Sequence, residues 1–231
     1  GVAGGRALFA AFRYLILGTL GASLYLLGVS YLYTVTGTLN MSDMVDKIPL
    51  LLSSKALVGG LIFMFIGLGI KMALVPFHTW LPEAYTHAPE SISPILSSLV
   101  TKVALLAWIR IVYWVLNASI AINDIPILLL VAALGTLAAV IGASLALAQR
   151  DLKMLFAYGG ISHIGIILIG IGQGNQTGFA GGVFYLLNDA VMQAGLFFLA
   201  GVAFCRYGVR TVDDLGRVGK QAPWLTGALI V

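Results

Sequence analysis

Of the 231 residues, 60% are hydrophobic and 10% are charged, and a mean hydropathy of +1.00 exceeds what a soluble core of this size requires, so the chain reads as an integral membrane protein. A formal charge of +4 is too small for a nucleic-acid-binding surface. The single cysteine, Cys205, excludes an internal disulfide and a cysteine-ligated zinc or iron–sulfur site, and three scattered histidines argue against a bis-imidazole haem. Neither a cofactor nor a metal is therefore expected in this chain.

Apolar runs separated by turn or charge signals predict six spans and the start of a seventh. They fall at Arg13–Thr34, Lys55–Pro76, Ser93–Leu116, Ile125–Ala148, Met154–Ile171, Phe179–Phe204 and from Pro223 onward. The fold class is all-α, a polytopic transmembrane helix bundle forming a single transmembrane domain over residues 1–231. The opening GVAGGRALFAAFR lacks the pattern of a signal peptide and leads straight into a span, and the closing LTGALIV falls inside another. Both ends suggest the central fragment of a longer protein. Between the first two spans, GTLNMSDMVDKIP predicts a surface loop with a short interfacial helix capped by Asn40 or Ser42. The segment from His78 to Glu90 holds two prolines, two histidines (His78 and His87) and two glutamates, which predicts a re-entrant or interfacial connector. The glycine-bearing run from Gly165 to Gly178 is a helix end and a turn, since no strand precedes it as a dinucleotide fingerprint requires.

Loop charges orient the chain. The side that holds the N-terminus receives Arg6, Arg13, Arg150, Lys153, Arg206, Arg210, Arg217 and Lys220, against Lys47 and Lys55, or those two with Arg110, on the other. The positive-inside rule makes the richer side cytoplasmic, and a prokaryotic inner membrane is the expected location. Asn40, Asn117 and Asn175 open nominal glycosylation sequons on the opposite side, which carry no meaning in such a membrane.

Four ionisable residues stand within the apolar segments: Lys71, Lys102, His163 and Asp189. Such groups cost a few kcal/mol each in a bilayer and face a bundle interior, a water cavity or a partner charge. Lys102 sits roughly 13 Å from one end of its span and 21 Å from the other, too deep to reach water by snorkelling. Lys71 precedes Pro76, which removes an N–H and clashes with the carbonyl of Met72 one turn back, predicting a helix broken at membrane depth. Each residue has a plainer reading. Lys71 is close enough to Pro76 to snorkel to the surface; Lys102 and Asp189 fit a purely structural ion pair; His163 fits a neutral donor to a carbonyl; Asp189 fits a hydrogen bond to a neighbouring Ser or Asn. A series of such groups with water between them also fits a proton relay, because desolvation eases loss of a lysine proton while a carboxylate opposes it, and histidine titrates near neutrality. On the sixth span Tyr185, Asn188, Asp189, Met192 and Gln193 share one face by their i, i+3, i+4 spacing, predicted to look inward.

Three stretches, FIGLGIKMALVPFHTWLPEAYTHAPESISPILSSLVTKVALLAWIR, AQRDLKMLFAYGGISHIGIILIG and FYLLNDAVMQAGLFFLAG, together resemble the proton-translocating antiporter-type membrane subunits shared by respiratory complex I, Mrp sodium/proton antiporters and membrane-bound hydrogenases. The resemblance covers nearly the whole chain, including RYLILG in the first span and the TGTLNM turn. It implies the central part of a subunit of about fourteen helices that moves protons, or sodium against protons. Such a subunit does no redox chemistry itself and works among other membrane subunits of a larger complex. It implies further that Lys71 is the lysine of a broken helix, that Lys102 is the central lysine between half-channels, and that His163 belongs to the connecting hydrophilic axis. Asp189 falls where many relatives carry a histidine and Gln193 where some carry a lysine; the aspartate resembles Mrp-type or hydrogenase-type members. The carboxylate partner of Lys71 and a later broken helix are implied to lie in flanks outside this chain. Two rival classes are a standalone secondary transporter of a small organic solute, with Lys102 binding a substrate carboxylate, and a non-conducting assembly subunit whose polar residues are packing glue.

Overall fold

A computed structural model describes residues 2–117, 120–121, 125–219 and 222–230. The helices are α1 (Val2–Thr36), α2 (Met41–Lys47), α3 (Lys55–Lys71), α4 (Trp80–His87), α5 (Ser93–Val115), α6 (Ile127–Leu147), α7 (Leu152–Gly172), α8 (Gln176–Tyr207), α9 (Val212–Val218) and α10 (Pro223–Ile230). Five of them, α1, α5, α6, α7 and α8, are long and apolar enough to cross a membrane. Helix α3 has 17 residues, about 26 Å at 1.5 Å per residue, so it spans most of a hydrocarbon core before the chain leaves helical geometry. The all-α class holds throughout the described residues, and span boundaries move by a few residues from those read in the sequence. Lys220 lies outside the described residues.

Local chemistry explains five of the ten helix starts. Asn40 accepts from Ser42 N at the start of α2, Ser54 from Leu57 N before α3, and Asn175 from Gly178 N before α8. Asp151 accepts from Lys153 N and Met154 N before α7, and Thr211 forms a reciprocal capping box with Asp214 before α9. Each satisfies amides that have no partner within their own helix. Helix α8 stops at Gly208 with φ 70°, the left-handed geometry that glycine adopts without steric cost.

The break after α3 is real, but its cause differs from the one read in the sequence. The helix ends at Lys71, five residues before Pro76. Ala73 takes φ 56°, Leu74 N donates to Gly69 O at 2.9 Å and Ala73 N to Ile70 O at 3.2 Å, so a Schellman-type closure ends α3 with alanine in the position usually held by glycine. Pro76 is exposed, at the start of a 3₁₀ turn over Phe77–Thr79. The steric conflict expected with Met72 does not end the helix, because the helix has already closed. Trp80 Nε1 donates to Ile70 O at 2.9 Å, pinning the connector back onto the open end of α3.

One end of the bundle is tied together by several contacts. Arg150 and Arg210 carbonyls accept from Val212 N and Leu152 N across the Asp151–Thr211 bridge, Lys153 pairs with Glu90 at 2.8 Å, and Arg13 pairs with Glu83 at 3.1 Å. The opposite end carries α2, held by a hydrogen bond from Lys47 Nζ to Thr36 O at 2.8 Å. This alternation of ends agrees with the order of spans read from the sequence.

Between the spans, small residues set the distance of approach. On the α6–α7 seam a Cβ at Gly135 would stand 2.8 Å from Gly165 O, and one at Gly142 would stand 2.6 Å from Ser162 N. In lipid, where apolar surface is not driven together by water, such close backbone contact is what holds helices side by side. Gly165→Ala drives a methyl into the backbone of Ala139 and is expected to destabilise the protein by about 1–3 kcal/mol, read as a lowered Tm in detergent. Gly159, beside which nothing lies within 4 Å, accepts the same substitution without loss.

Candidate functional site: a buried lysine, aspartate and histidine

Helices α5, α7 and α8 each bring one ionisable side chain to the same interior point. Lys102 Nζ lies 2.8 Å from Asp189 Oδ2, and His163 Nδ1 lies 2.8 Å from Asp189 Oδ1. Asp189 is fully buried and Lys102 is 6% exposed, so the pair is cut off from solvent. Each carboxylate oxygen has its own nitrogen neighbour. At Oδ1 the contact is a hydrogen bond; at Oδ2 it is an ion pair without an aligned hydrogen bond.

The lysine is positioned by its own helix. Residues Leu96–Val100 form a π turn, and Lys102 Nζ donates to Ser97 O at 2.9 Å. A second π turn, Ile111–Val115, closes α5. π turns widen a helix locally and concentrate at functional positions. Ser97 Oγ in turn contacts Gln193 O at 3.4 Å, and Gly160 makes room for the Gln193 amide: a Cβ there would stand 3.0 Å from Nε2. Gln193 is 2% exposed and sits one turn beyond Asp189. With the carboxylate ionised, His163 Nδ1 is the donor, which leaves Nε2 as an acceptor in the neutral ring. The ring stands edge-on to Tyr185, centroids 5.8 Å apart, and the His163 side chain is 24% exposed.

The inward face of α8 is Leu186, Asp189, Gln193, Phe197 and Ala200. Asn188 is exposed, and Tyr185 and Met192 are half-buried, so the face read from the sequence is rotated. The i, i+3, i+4 pattern admitted two neighbouring stripes, and the choice between them is made by α7, whose His163 and Gly160 approach Asp189 and Gln193.

Lys71 is separate from this cluster. It is half-buried at the end of α3, with Nζ 3.6 Å from the point where Gly18 would carry a Cβ, facing a groove of about 660 Å³ lined by Tyr25, Leu68, Val103 and Ala107. Among the described residues it forms no ion pair. Of the connector histidines, His78 is half-buried in the 3₁₀ turn, and His87 Nδ1 lies 2.9 Å from Glu83 O while its ring lines a cavity at the end of the bundle. Neither histidine contacts the triad.

One buried charge was misread. Lys153 looks like a loop cation in the sequence because it follows Arg150 and Asp151, but it is 8% exposed, pairs with Glu90 at 2.8 Å, and donates to Ser93 Oγ at 3.1 Å. Sixty-three residues separate Lys153 from Glu90, and no periodicity links them.

The model of the family described as NADH:quinone oxidoreductase/Mrp antiporter, TM, matches residues 3–231. An NADH-quinone oxidoreductase subunit N from Desulforudis audaxviator is 40% identical over 228 residues, 98% of this chain and 45% of that protein. A chain of the membrane-bound sulfane sulfur reductase, an archaeal respiratory membrane complex, superposes with a TM-score of 0.86 at 31% identity, covering 98% of this chain and 46% of that one. A chain of the Mrp complex from Dietzia sp. gives a TM-score of 0.79 at 28% identity over 88% of this chain and 37% of that one. The chain thus spans about half the length of the relatives it matches. With a family match over nearly its whole length and the same helical architecture as those complexes, this chain belongs to the NADH:quinone oxidoreductase/Mrp antiporter transmembrane family.

Proposed function

We propose that the chain conducts protons through the membrane part of a multi-subunit complex, with Lys102, Asp189 and His163 as the central relay and Lys71 as a second station on the α1 side. The observation that carries this reading is a lysine and an aspartate buried together at the middle of the bundle, with a histidine on the free side of the carboxylate. A membrane interior tolerates such groups at a cost, and three titratable groups in direct contact form a unit whose proton is shared rather than owned by one site. Other membrane subunits of the complex are its partners and supply the driving force. This chain uses no cofactor of its own, and sodium is a second candidate for the moving ion. The names of the relatives, all subunits, lend no support to a standalone solute carrier.

The plainer alternative, a structural ion pair, is favoured by the 2.8 Å geometry of Lys102 and Asp189, and one substitution separates the two. In the full-length subunit, assembled in its complex and reconstituted into liposomes, Lys102→Arg keeps a cation beside Asp189 but effectively never releases a proton. Proton flux in that variant is expected to fall at least tenfold with the fold intact. A purely structural pair would leave flux close to wild type in Lys102→Arg.

For orientation, we propose that the end carrying Glu83, Glu90 and the Arg150 loop faces the cytoplasm, following the loop charges. Arg150, whose side chain is 86% exposed, is the reporter at that end. In a Cys205→Ser background, Arg150→Cys is expected to react with an impermeant thiol reagent from the cytoplasmic side and Asn175→Cys from the other. Reaction of both from one side would overturn the orientation and the span count.

A further inference from the structure

Between α3 and α6, with Trp108 of α5 at its floor, lies a groove of about 380 Å³. Its walls are Val58, Ile62 and Ile66 of α3 and Ile127, Leu130 and Leu134 of α6, and it closes against residues 74–77, the turn that follows the break after Lys71. No ionisable or hydroxyl side chain lines it among the described residues, so water, which needs several polar partners to settle in a cavity, is not its occupant. Ile62 is 52% and Leu130 58% exposed, so the groove is open along its side, and in a membrane that side meets lipid. From Val58 to Gly69 it runs about 17 Å along α3 at 1.5 Å per residue, a little over half of a roughly 30 Å hydrocarbon core and hence the depth of one leaflet. A helix about 10 Å across would need about 1,300 Å³ over that length, several times the space present. One extended hydrocarbon chain fits it.

The outer end of the groove carries a charge that suits a phosphate. Lys55, Val58, Ile62, Ile66 and Gly69 follow i, i+3, i+7, i+11, i+14 spacing and share one face of α3. Lys55 opens that line; it is exposed and forms no ion pair among the described residues. In the first turn of a helix its side chain leans back toward the N-terminus, which here is the membrane surface. That turn holds no acidic residue, so the ammonium stands beside the positive end of the helix, and an anion placed there meets both. We propose that the groove binds one anionic phospholipid from the leaflet on the α2 side. Its phosphate lies at Lys55, one acyl chain lies between α3 and α6, and the end of that chain rests against residues 74–77. The amides of Ala73 and Leu74 already have partners within the protein, so the lipid contributes packing against the turn that follows Lys71, not hydrogen bonds.

The test uses the full-length subunit in its complex, reconstituted into liposomes containing phosphatidylglycerol that bears a photoactivatable diazirine at the end of one acyl chain. After irradiation, labelled peptides are read by mass spectrometry. Labelling is expected to concentrate on residues 74–77, of which Leu74 and Val75 are buried from bulk lipid, and to be displaced by excess unlabelled phosphatidylglycerol. Leu130→Trp, at an exposed position with room for a larger side chain, fills the groove and is expected to lower that labelling at least fivefold. Lys55→Gln leaves the groove open, removes the ammonium, and is expected to lower it at least threefold; it decides the matter alone if Leu130→Trp does not assemble. Labelling no stronger at residues 74–77 than at Leu137 and Val140 on the outward face of α6 shows bulk lipid contact only and overturns the site. Labelling unchanged in Leu130→Trp overturns it as well, and labelling unchanged in Lys55→Gln overturns the anionic headgroup. No labelling at residues 74–77 shows that another protein segment covers the groove, which also overturns the proposal. The readout is lipid contact and not proton flux, so the relay stands or falls separately.

Discussion

The contact on which this bundle turns is the one between Lys102 and Asp189, 2.8 Å apart in a region from which both are shielded. Two charges taken out of water are stabilised there only if each neutralises the other and the remaining polar atoms find partners. That condition fixes the surroundings. Ser97 O holds one proton of the ammonium, His163 covers the second carboxylate oxygen, and the helices that carry them must stay in register. Removing either member of a buried pair typically costs about 3–5 kcal/mol, so α5, α7 and α8 are locked to one another by electrostatics at their centre as well as by packing along their lengths. A proton leaving this unit would change the charge balance of all three helices at once, which is what the proposed relay requires.

Lys71 shows a different solution to the same constraint. At the end of a helix whose last carbonyls are partly satisfied by a Schellman-type turn, its ammonium faces a groove beside α1 rather than a carboxylate. The two lysines therefore occupy different environments, one locked and one open. Helix α3 can stop at membrane depth because Trp80 returns a hydrogen bond to Ile70 O and because Leu74 and Ala73 amides take up Gly69 and Ile70 carbonyls. Backbone groups left bare in lipid would each cost several kcal/mol, and the aromatic connector prevents that.

The helical class, the sequence of spans and the cap at Asn40 were legible because composition and local hydrogen bonding determine them. So were the four buried ionisable positions, since depth within an apolar run is a linear property of sequence. Pairing was less so. The run around Asp189 is compatible with two adjacent helix stripes, and only the approach of His163 and Gly160 selects the one that excludes Asn188. Pro76 drew attention to the break after α3 for a sound stereochemical reason, yet an alanine in left-handed geometry closes the helix first, and no rule of residue type announces that. Lys153 was hidden most completely. Its neighbours in sequence are those of a surface turn, while its partners, Glu90 and Ser93, arrive from a segment on the far side of two helices.

The central claim is that Lys102 is neutral for part of each cycle despite its carboxylate neighbour. Solid-state ¹⁵N NMR of lysine-labelled complex in liposomes, with the Lys102 resonance assigned through Lys102→Gln, reads that protonation state directly. The account predicts that an amine signal from Lys102 appears when transport is driven and disappears when it stops. A Lys102 signal that stays fully ammonium while protons continue to cross the membrane would contradict it.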